Sequence, residues 1–170
     1  EKPFCHILNT DGINNYLNAQ MDMVRLGIGL YGASEANELK NDLNPIATLT
    51  SKVIAIRRVN REEFISYNRS GTLDEDSNIA ILSLGYADGL PRNFGNGHGE
   101  VELEGKLYPT IGNICMDLCM INLGQDIVAV DSEVIVFGGK KSIFDYAEAL
   151  ETITYEALTN IGNRVKRVVV

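Results

Sequence analysis

Residues 81–94 read ILSLGYADGLPRNF, an apolar run that leads into a turn rich in glycine and proline. Alternating apolar residues followed by Gly, Asp and Pro predict a β-strand that ends in a tight connection. This connection displays a tyrosine, an aspartate and an arginine, and such connections often carry functional groups. The stretch therefore predicts a strand end that holds a small polar ligand.

The same period-two pattern recurs downstream, within residues 45–170. Strands are predicted at residues 47–57, 64–67, 79–85, 101–103, 107–111, 114–123 and 134–137. Clusters such as NGHG and LGQD separate them, as in an antiparallel β-barrel or sandwich. Ser142 with Asp145 resembles an N-terminal cap of a helix over residues 143–150, and Thr154 is predicted to cap a last helix that ends at Gly162. Residues 45–170 are therefore predicted to form a mainly β domain with short helices.

Upstream, residues 1–40 have a different pattern, that of a strand, a helix and a second strand. Strands are predicted at residues 4–8 and 23–32, a helix at 12–19 and a linker at 33–44. Buried parallel strands read as nearly continuous apolar runs, and MDMVRLGIGLYG fits that pattern. Two parallel strands and one helix cannot cover both faces of a sheet. We therefore expect these residues to be the end of an α/β domain and the chain to be a piece of a larger protein.

Composition excludes several classes of function. The 170 residues carry a net charge of −8 and are 45% hydrophobic. Without a basic stripe, a nucleic acid partner is not expected. No apolar run is long enough for a membrane span, and no signal-peptide pattern is present, so a cytoplasmic protein is predicted.

The cysteines favour a reducing compartment over a disulfide framework. They number three, Cys5, Cys115 and Cys119, and an odd number fits unpaired thiols. Cys115 and Cys119 lack a second ligand pair at zinc spacing, so no metal site is predicted. If both lay on one strand, they would point to the same face as ordinary buried thiols.

Six stretches, in order along the chain, resemble the alanine racemase family, whose members use pyridoxal phosphate to interconvert the two enantiomers of alanine. They are HILNTDGI, MDMVRLGIGLYG, ISYNR, LGYADGLPR, GNICMD and TITYEALTNIGNRVKRV. The resemblance implies a TIM (β/α) barrel that carries the cofactor and a C-terminal β domain that completes the site across a head-to-tail homodimer. The chain is then expected to comprise the last barrel strands, in residues 1–40, and the β domain, in residues 45–170.

The resemblance also implies contacts to the cofactor. Arg25 corresponds to the family arginine at the pyridine nitrogen. Because a guanidinium does not give up a proton, this nitrogen would stay unprotonated and the cofactor would be a weaker electron sink. His6 corresponds to the histidine that packs near the arginine. The implied phosphate contacts are Thr10, Gly27, Ile28 and Tyr155.

For catalysis, the resemblance implies a tyrosine base, Tyr67. Racemisation needs one base on each face of the substrate, and the second is the family's Schiff-base lysine. A phenol, with an ordinary pKa of about 10, is a poor base at neutral pH unless nearby positive charge lowers its pKa. Met116 and Asp117 correspond to residues near the substrate carboxylate, and Tyr86 to one at the site entrance. Asn68 replaces the usual glycine, and asparagine tolerates positive φ.

Other functions remain open from the sequence. None of the lysines lies in the family's lysine motif, so the chain alone is expected to be inactive and to bind the cofactor weakly. A serine or broad-specificity amino-acid racemase is one alternative. Asn68, Gly71 and Leu118 depart from the family pattern, which keeps a noncatalytic β module for dimerisation as another.

Overall fold

A computed structural model describes residues 2–34 and 42–169 of the chain. The chain divides into two units, Glu1–Ala47 and Thr48–Val170. The described strands all belong to the second unit, whereas the first contains short helices and irregular backbone.

Among the described residues, the second unit is built on one six-stranded antiparallel sheet. Its strands are β1 (Leu49–Val59), β2 (Ser77–Leu82), β3 (Glu100–Leu103), β4 (Lys106–Pro109), β5 (Cys119–Gly124) and β6 (Glu133–Phe137). Their order across the sheet is β4-β3-β6-β1-β2-β5. An antiparallel bridge between Thr110, just after β4, and Ile121 of β5 brings the two outer strands together. The sheet is thus nearly closed, which confirms the predicted antiparallel β-barrel with short helices.

The longest strand, β1, is shared by two neighbours. Residues 49–52 pair with β6, and residues 53–59 pair with β2. A register shift between Val53 and Ala55 lies where the partner changes. Such a bulge bends a strand and increases its twist, so β1 can turn from one part of the barrel to the other.

The barrel interior is filled by alternate side chains, as the period of a strand requires. In β5, Cys119, Ile121 and Leu123 are buried, whereas Met120 and Asn122 are half-buried. Burial of one large aliphatic side chain contributes about 1.5–3 kcal/mol. The alternation in the sequence therefore reports which face of each strand stabilises the barrel.

Two short helices follow the last strand. α2 spans Ile143–Ala149, close to its predicted range, and α3 spans Thr154–Thr159. The predicted cap of α3 is wrong: Ile153 is the N-cap, and Thr154 is a buried residue inside the first turn. The predicted end at Gly162 is also wrong, because Asn160 already forms the C-cap.

The N-terminus of α2 carries the predicted capping arrangement. The Asp145 backbone N–H donates to Ser142 Oγ over 3.2 Å, and the Ser142 N–H donates to Asp145 Oδ2 over 2.7 Å. The Ser142 hydroxyl also donates to Asp145 Oδ2, over 2.6 Å. This bond, followed by the one from the Ser142 backbone N–H, lowers the pKa of Asp145 below its ordinary value. These bonds therefore stabilise the fold above pH 3.8, and their contribution is lost as the pH falls below that value.

We expect Ser142→Ala to lower the free energy of unfolding by about 1 kcal/mol at neutral pH, since it removes the helix cap. The difference from the native protein should narrow as the pH falls below 3.8. Urea unfolding over a pH series measures both effects, with Ser83→Ala, at an exposed serine, as the control. An equal difference at acidic and neutral pH would contradict this assignment.

The first unit differs from its predicted strand–helix–strand pattern. α1 spans Thr10–Asn15, begins and ends earlier than predicted, and is followed by a 3₁₀ turn at Leu17–Ala19. Neither residues 4–8 nor residues 23–32 form a strand. Among the described residues, their only β-pairing is one parallel bridge, between His6 and Met23. A second 3₁₀ turn spans Ile28–Tyr31.

A continuous strand requires hydrogen-bonded neighbours along its length. Within the described residues of the first unit, that bridge is the only β-pairing between these two segments, although single hydrogen bonds also join them. Of the predicted linker at 33–44, Ala33 and Ser34 are buried and therefore are not solvated linker residues. Residues 35–41 of that prediction lie outside the described residues.

In the second unit, one predicted strand is absent and another begins later than predicted. Residues 64–67 form no strand, because Ser66 has a φ of 71° and residues 67–69 form a 3₁₀ turn. Residues 114–118 are irregular, and the strand starts only at Cys119. Cys115 and Cys119 therefore do not lie on one strand.

Candidate functional site

A groove of about 610 Å³ opens on the second unit where irregular segments meet beside the barrel. Its wall contains four residues that the sequence had singled out for catalysis or substrate contact: Tyr67, Tyr86, Met116 and Asp117. Arg92 and Asn113 also line it. Three segments distant in the chain thus bring the predicted residues into one site.

The first wall of the groove is the turn that carries Tyr67. The Tyr67 side chain is 73% exposed, so its hydroxyl is free to meet a ligand. Asn68 has a φ of 58° and a ψ of 20°, the left-handed conformation that asparagine tolerates better than most residues. An asparagine at position 68 is therefore compatible with a turn of this kind.

The second wall is the turn that follows β2. The backbone N–H of Tyr86 donates to the Cys115 carbonyl over 2.9 Å, and that of Ala87 donates to the Met116 carbonyl over 3.0 Å. Within the turn, the Gly85 N–H donates to Asp88 Oδ2 over 2.9 Å. Asp88 thus braces the turn, and the turn is fixed directly to the segment that carries Met116.

Arg164 links these two segments from the C-terminal tail, and the sequence alone had not singled it out. Its Nη2 lies 2.7 Å from Asp117 Oδ1 and its Nε lies 3.4 Å from Asp88 Oδ1. The hydrogen bond to Asp117, followed by the charge of Asp88, raises the pKa of Arg164 above its ordinary value. The arginine therefore stays cationic, and Asp117 enters the groove wall as one half of an ion pair.

The cysteines near the groove differ in their environment. Cys119 is buried, and desolvation raises the pKa of its thiol to about 12, so it stays protonated. Cys115 is half-buried and lines the groove. The described part of the chain contains no group of three or more His, Cys, Asp or Glu side chains that could hold a metal ion.

In the first unit, Thr10 organises the segment predicted to bind phosphate. Its Oγ1 accepts hydrogen bonds from the backbone N–H groups of Gly27 and Gly29, over 3.1 and 3.2 Å. The hydroxyl proton remains available to donate to an anion. A Cβ at Gly27 would meet nothing within 4 Å, so the backbone there is open, whereas Ile28 is buried.

Arg25 and His6 lie on the two segments joined by the bridge between His6 and Met23. The Arg25 guanidinium donates through Nη2 to the Ile7 carbonyl over 2.9 Å, and its backbone N–H donates to the Leu8 carbonyl over 2.9 Å. The guanidinium is therefore held beside the backbone that carries His6. Both side chains are exposed.

Tyr155 belongs to the second unit. It lies in the first turn of α3 and is half-buried.

None of the helices in residues 2–34 and 42–169 is long and apolar enough to cross a membrane.

Comparison with known proteins identifies relatives along nearly the whole chain. Residues 46–169 match the family model described as alanine racemase, C-terminal domain. The alanine racemase of Fusobacterium nucleatum is 39% identical over 171 residues, which cover 98% of this chain and 47% of that protein. The alanine racemase of Helicobacter acinonychis is 36% identical over 182 residues, which cover 100% of this chain and 48% of that protein. The chain thus spans about half the length of the curated relatives it matches.

Solved structures show the same relationship. Alanine racemase from Streptomyces coelicolor matches with a TM-score of 0.89 and 34% identity, over 96% of this chain and 44% of that one. Alanine racemase from Clostridium difficile, in complex with cycloserine, matches with a TM-score of 0.84 and 36% identity, over 94% of this chain and 44% of that one. The family resemblance predicted from the sequence is thereby confirmed, and the chain belongs to the alanine racemase family of isomerases, of which it carries the C-terminal part.

Proposed function

We propose that this chain is part of a pyridoxal-phosphate-dependent alanine racemase, which interconverts L- and D-alanine and so supplies D-alanine for the cell wall. The observation that carries the proposal is the groove that contains Tyr67, Tyr86, Met116 and Asp117 in a member of this family. In this proposal, Tyr67 is the base that the chain contributes. The first unit is the end of the TIM barrel, and the second unit is the C-terminal β domain.

The residues proposed for the cofactor fit an anionic phosphate. Thr10 Oγ1 already accepts hydrogen bonds from two backbone N–H groups and still has its own proton to donate, and the backbone at Gly27 is open to a close approach. Thr10, Gly27 and Ile28 would hold the phosphate. For Tyr155, of the second unit, a phosphate contact is proposed from the family resemblance alone. Arg25, with His6 beside it, would face the pyridine nitrogen. When bound, the cofactor supplies an electron sink for the negative charge that develops at the alanine Cα.

The chain's own part in the chemistry is the proton transfer on one face of the substrate. Tyr67, as phenolate, takes the Cα proton from L-alanine, and as phenol it returns a proton when D-alanine is converted. The exposed Tyr67 side chain is suited to this role because its hydroxyl can reach a ligand in the groove. The opposite face requires a lysine base, for which these residues offer no candidate in the family's motif.

Binding of alanine is proposed to use Met116 and Asp117 at the substrate carboxylate and Tyr86 at the entrance. A free Asp117 carboxylate would repel that carboxylate. The ion pair of Arg164 with Asp117, at 2.7 Å, offsets this repulsion. Arg164 therefore makes Asp117 compatible with an anionic substrate group.

Assembly follows from the same proposal. In a head-to-tail homodimer, the groove of one subunit would complete the cofactor site of its partner, and the enzyme would act in the cytoplasm. All three cysteines are free, which agrees with a reducing compartment. The only further partner proposed is the small-molecule substrate.

The proposal predicts activity for the full-length enzyme and none for residues 1–170 alone. Chiral chromatography of L-alanine incubated with pyridoxal phosphate and each protein measures D-alanine formation, and L-serine tests the broader racemase alternative. D-alanine formed by residues 1–170 alone would contradict the need for a lysine outside them. Absence of turnover by the full-length enzyme on either amino acid would favour the noncatalytic β module.

A further inference from the structure

The segment that presents Tyr67 is strained. Ser66 has a φ of 71° and a ψ of 177°, a region of backbone space that is occupied almost only by glycine. Asn68 and Arg69 follow with φ values of 58° and 55°. Three non-glycine residues with positive φ around one tyrosine persist only if their surroundings hold them in place.

Asn113 is hydrogen-bonded to the start of this turn. The Ser66 hydroxyl donates to the Asn113 carbonyl over 3.2 Å, and the Asn113 N–H donates to Ser66 Oγ over 3.1 Å. The Asn113 side chain, through Nδ2, donates to the Tyr67 carbonyl over 3.1 Å. Three hydrogen bonds thus connect Asn113 to the two residues at the start of the turn.

Asn113 is itself oriented. Its Oδ1 accepts a hydrogen bond from Asn96 Nδ2 over 3.2 Å, which directs the amide nitrogen toward the turn. The turn is closed by paired backbone bonds between Ile65 and Gly71, both 2.9 Å long. Since Met116 follows Asn113 by three residues, the asparagine joins the Tyr67 turn to the segment proposed to bind substrate.

We infer that Asn113 is a positioning residue for Tyr67: its side-chain amide holds the strained Ser66–Tyr67 backbone so that the phenol faces the groove. The effect of Asn113 on proton transfer rests on the proposed function of Tyr67, whereas its effect on the conformation of the turn does not. An apolar or acidic residue at position 113 removes the donor to the Tyr67 carbonyl. The strained turn can then relax and move the phenol.

Asn113→Asp in the full-length enzyme tests the structural part, because aspartate has nearly the same shape and lacks the donor. Amide hydrogen exchange in residues 65–71 should become about tenfold faster, as expected for one lost hydrogen bond. The control is Asn78→Asp, which removes a similar bond, from Asn78 Nδ2 to the Asp126 carbonyl, 3.0 Å long, in β2. Asn78→Asp should leave exchange in residues 65–71 within about twofold of the native rate. If Asn113→Asp does the same, the inference is overturned.

Ser66 provides a second test of the strain. Ser66→Ala and Ser66→Gly both remove the hydroxyl that bonds to Asn113, but only glycine adopts the observed φ and ψ without strain. Exchange in residues 65–71 should therefore increase more in the alanine variant. Equal rates in the two variants, or faster exchange with glycine, would show that the turn is not held under strain.

The catalytic part is measured on the same proteins. With alanine as substrate, Asn113→Asp should lower kcat about tenfold and change KM less than about twofold, since Tyr67 acts in the proton transfer. Exchange of the L-alanine Cα proton should suffer more than that of D-alanine, whereas a general loss of folding would affect both alike. If Tyr67→Phe leaves racemisation intact while the amide exchange results hold, the proposed function fails and the structural inference stands. If Tyr67→Phe abolishes racemisation while Asn113→Asp changes neither kcat nor amide exchange in residues 65–71, the positioning role fails and the proposed function stands.

Discussion

Replacing Tyr67 by phenylalanine in the full-length enzyme should lower alanine racemisation by about 10²- to 10⁴-fold, the contribution typical of a positioned acid or base. The change removes one oxygen from a side chain that is 73% exposed, so it leaves no cavity in the core and should not affect folding. The expected loss is in kcat, because the phenol is required when the Cα proton moves. Chiral chromatography of the products gives the rates, and thermal unfolding verifies the fold.

Tyr16→Phe is the matched control. Tyr16 is 65% exposed and lies outside the groove, so the same loss of a hydroxyl there should leave the rate unchanged. A Tyr67→Phe enzyme that retains more than about a tenth of native kcat would fall short of what a general base contributes. That result would remove Tyr67 from the proposed chemistry.

The second large effect is expected for Gly85→Ala, at the start of the turn that carries Tyr86. A Cβ at Gly85 would lie 2.3 Å from the Met116 carbonyl oxygen and 2.5 Å from the Cys115 carbonyl oxygen, both in the backbone. Backbone atoms cannot rotate away as a side chain can. The turn and the segment of Met116 must therefore separate, which breaks the two hydrogen bonds that join them.

Overpacking of this kind lowers the free energy of unfolding by about 1–3 kcal/mol. We expect kcat/KM to fall by a larger factor than the fraction of folded enzyme does. Urea unfolding and initial rates measure the two effects. Gly162→Ala is the control, because a Cβ there would lie 3.4 Å from the Ala87 carbonyl oxygen, an ordinary contact. A Gly85→Ala enzyme with native stability and activity would mean that the close contact at Gly85 does not hold the groove together.

The barrel could be predicted from the sequence because its signal is local. In β3, Val101 and Leu103 alternate with half-buried glutamates, and the buried positions are those that the period-two pattern marks. The capping of α2 was predicted for the same reason, since Ser142 and Asp145 lie within one turn. Elements whose stabilising contacts are close in the chain leave a readable pattern.

The shape of the groove could not be predicted in this way. The turn at Ser66 was predicted as a strand, but Ser66 has a positive φ and is hydrogen-bonded to Asn113, which is 47 residues away. Arg164 likewise pairs with Asp117 at a separation of 47 residues. The family resemblance selected the groove residues, whereas the contacts that hold them depend on long-range packing. A GNI sequence beside a predicted substrate segment is the one local signal that could have indicated Asn113.

The first unit shows a different limit. Its apolar runs have the residue types of buried strands, yet one parallel bridge is their only β-pairing in the described part of this unit. A strand needs bonded neighbours as well as an apolar sequence. Periodicity alone therefore predicted more regular structure at residues 4–8 and 23–32 than the structure contains.

The central claim is that Tyr67 is the base on one face of alanine. Because the two enantiomers have equal free energy, kcat/KM in the two directions of racemisation must fall together, and overall rates cannot reveal which face has lost its base. Deuterium uptake at Cα with retention of configuration can reveal which face has lost its base. In heavy water, the Tyr67→Phe enzyme should still exchange the Cα proton of D-alanine through the lysine on the other face, whereas exchange into L-alanine should nearly stop. Equal exchange into the two enantiomers would contradict the claim.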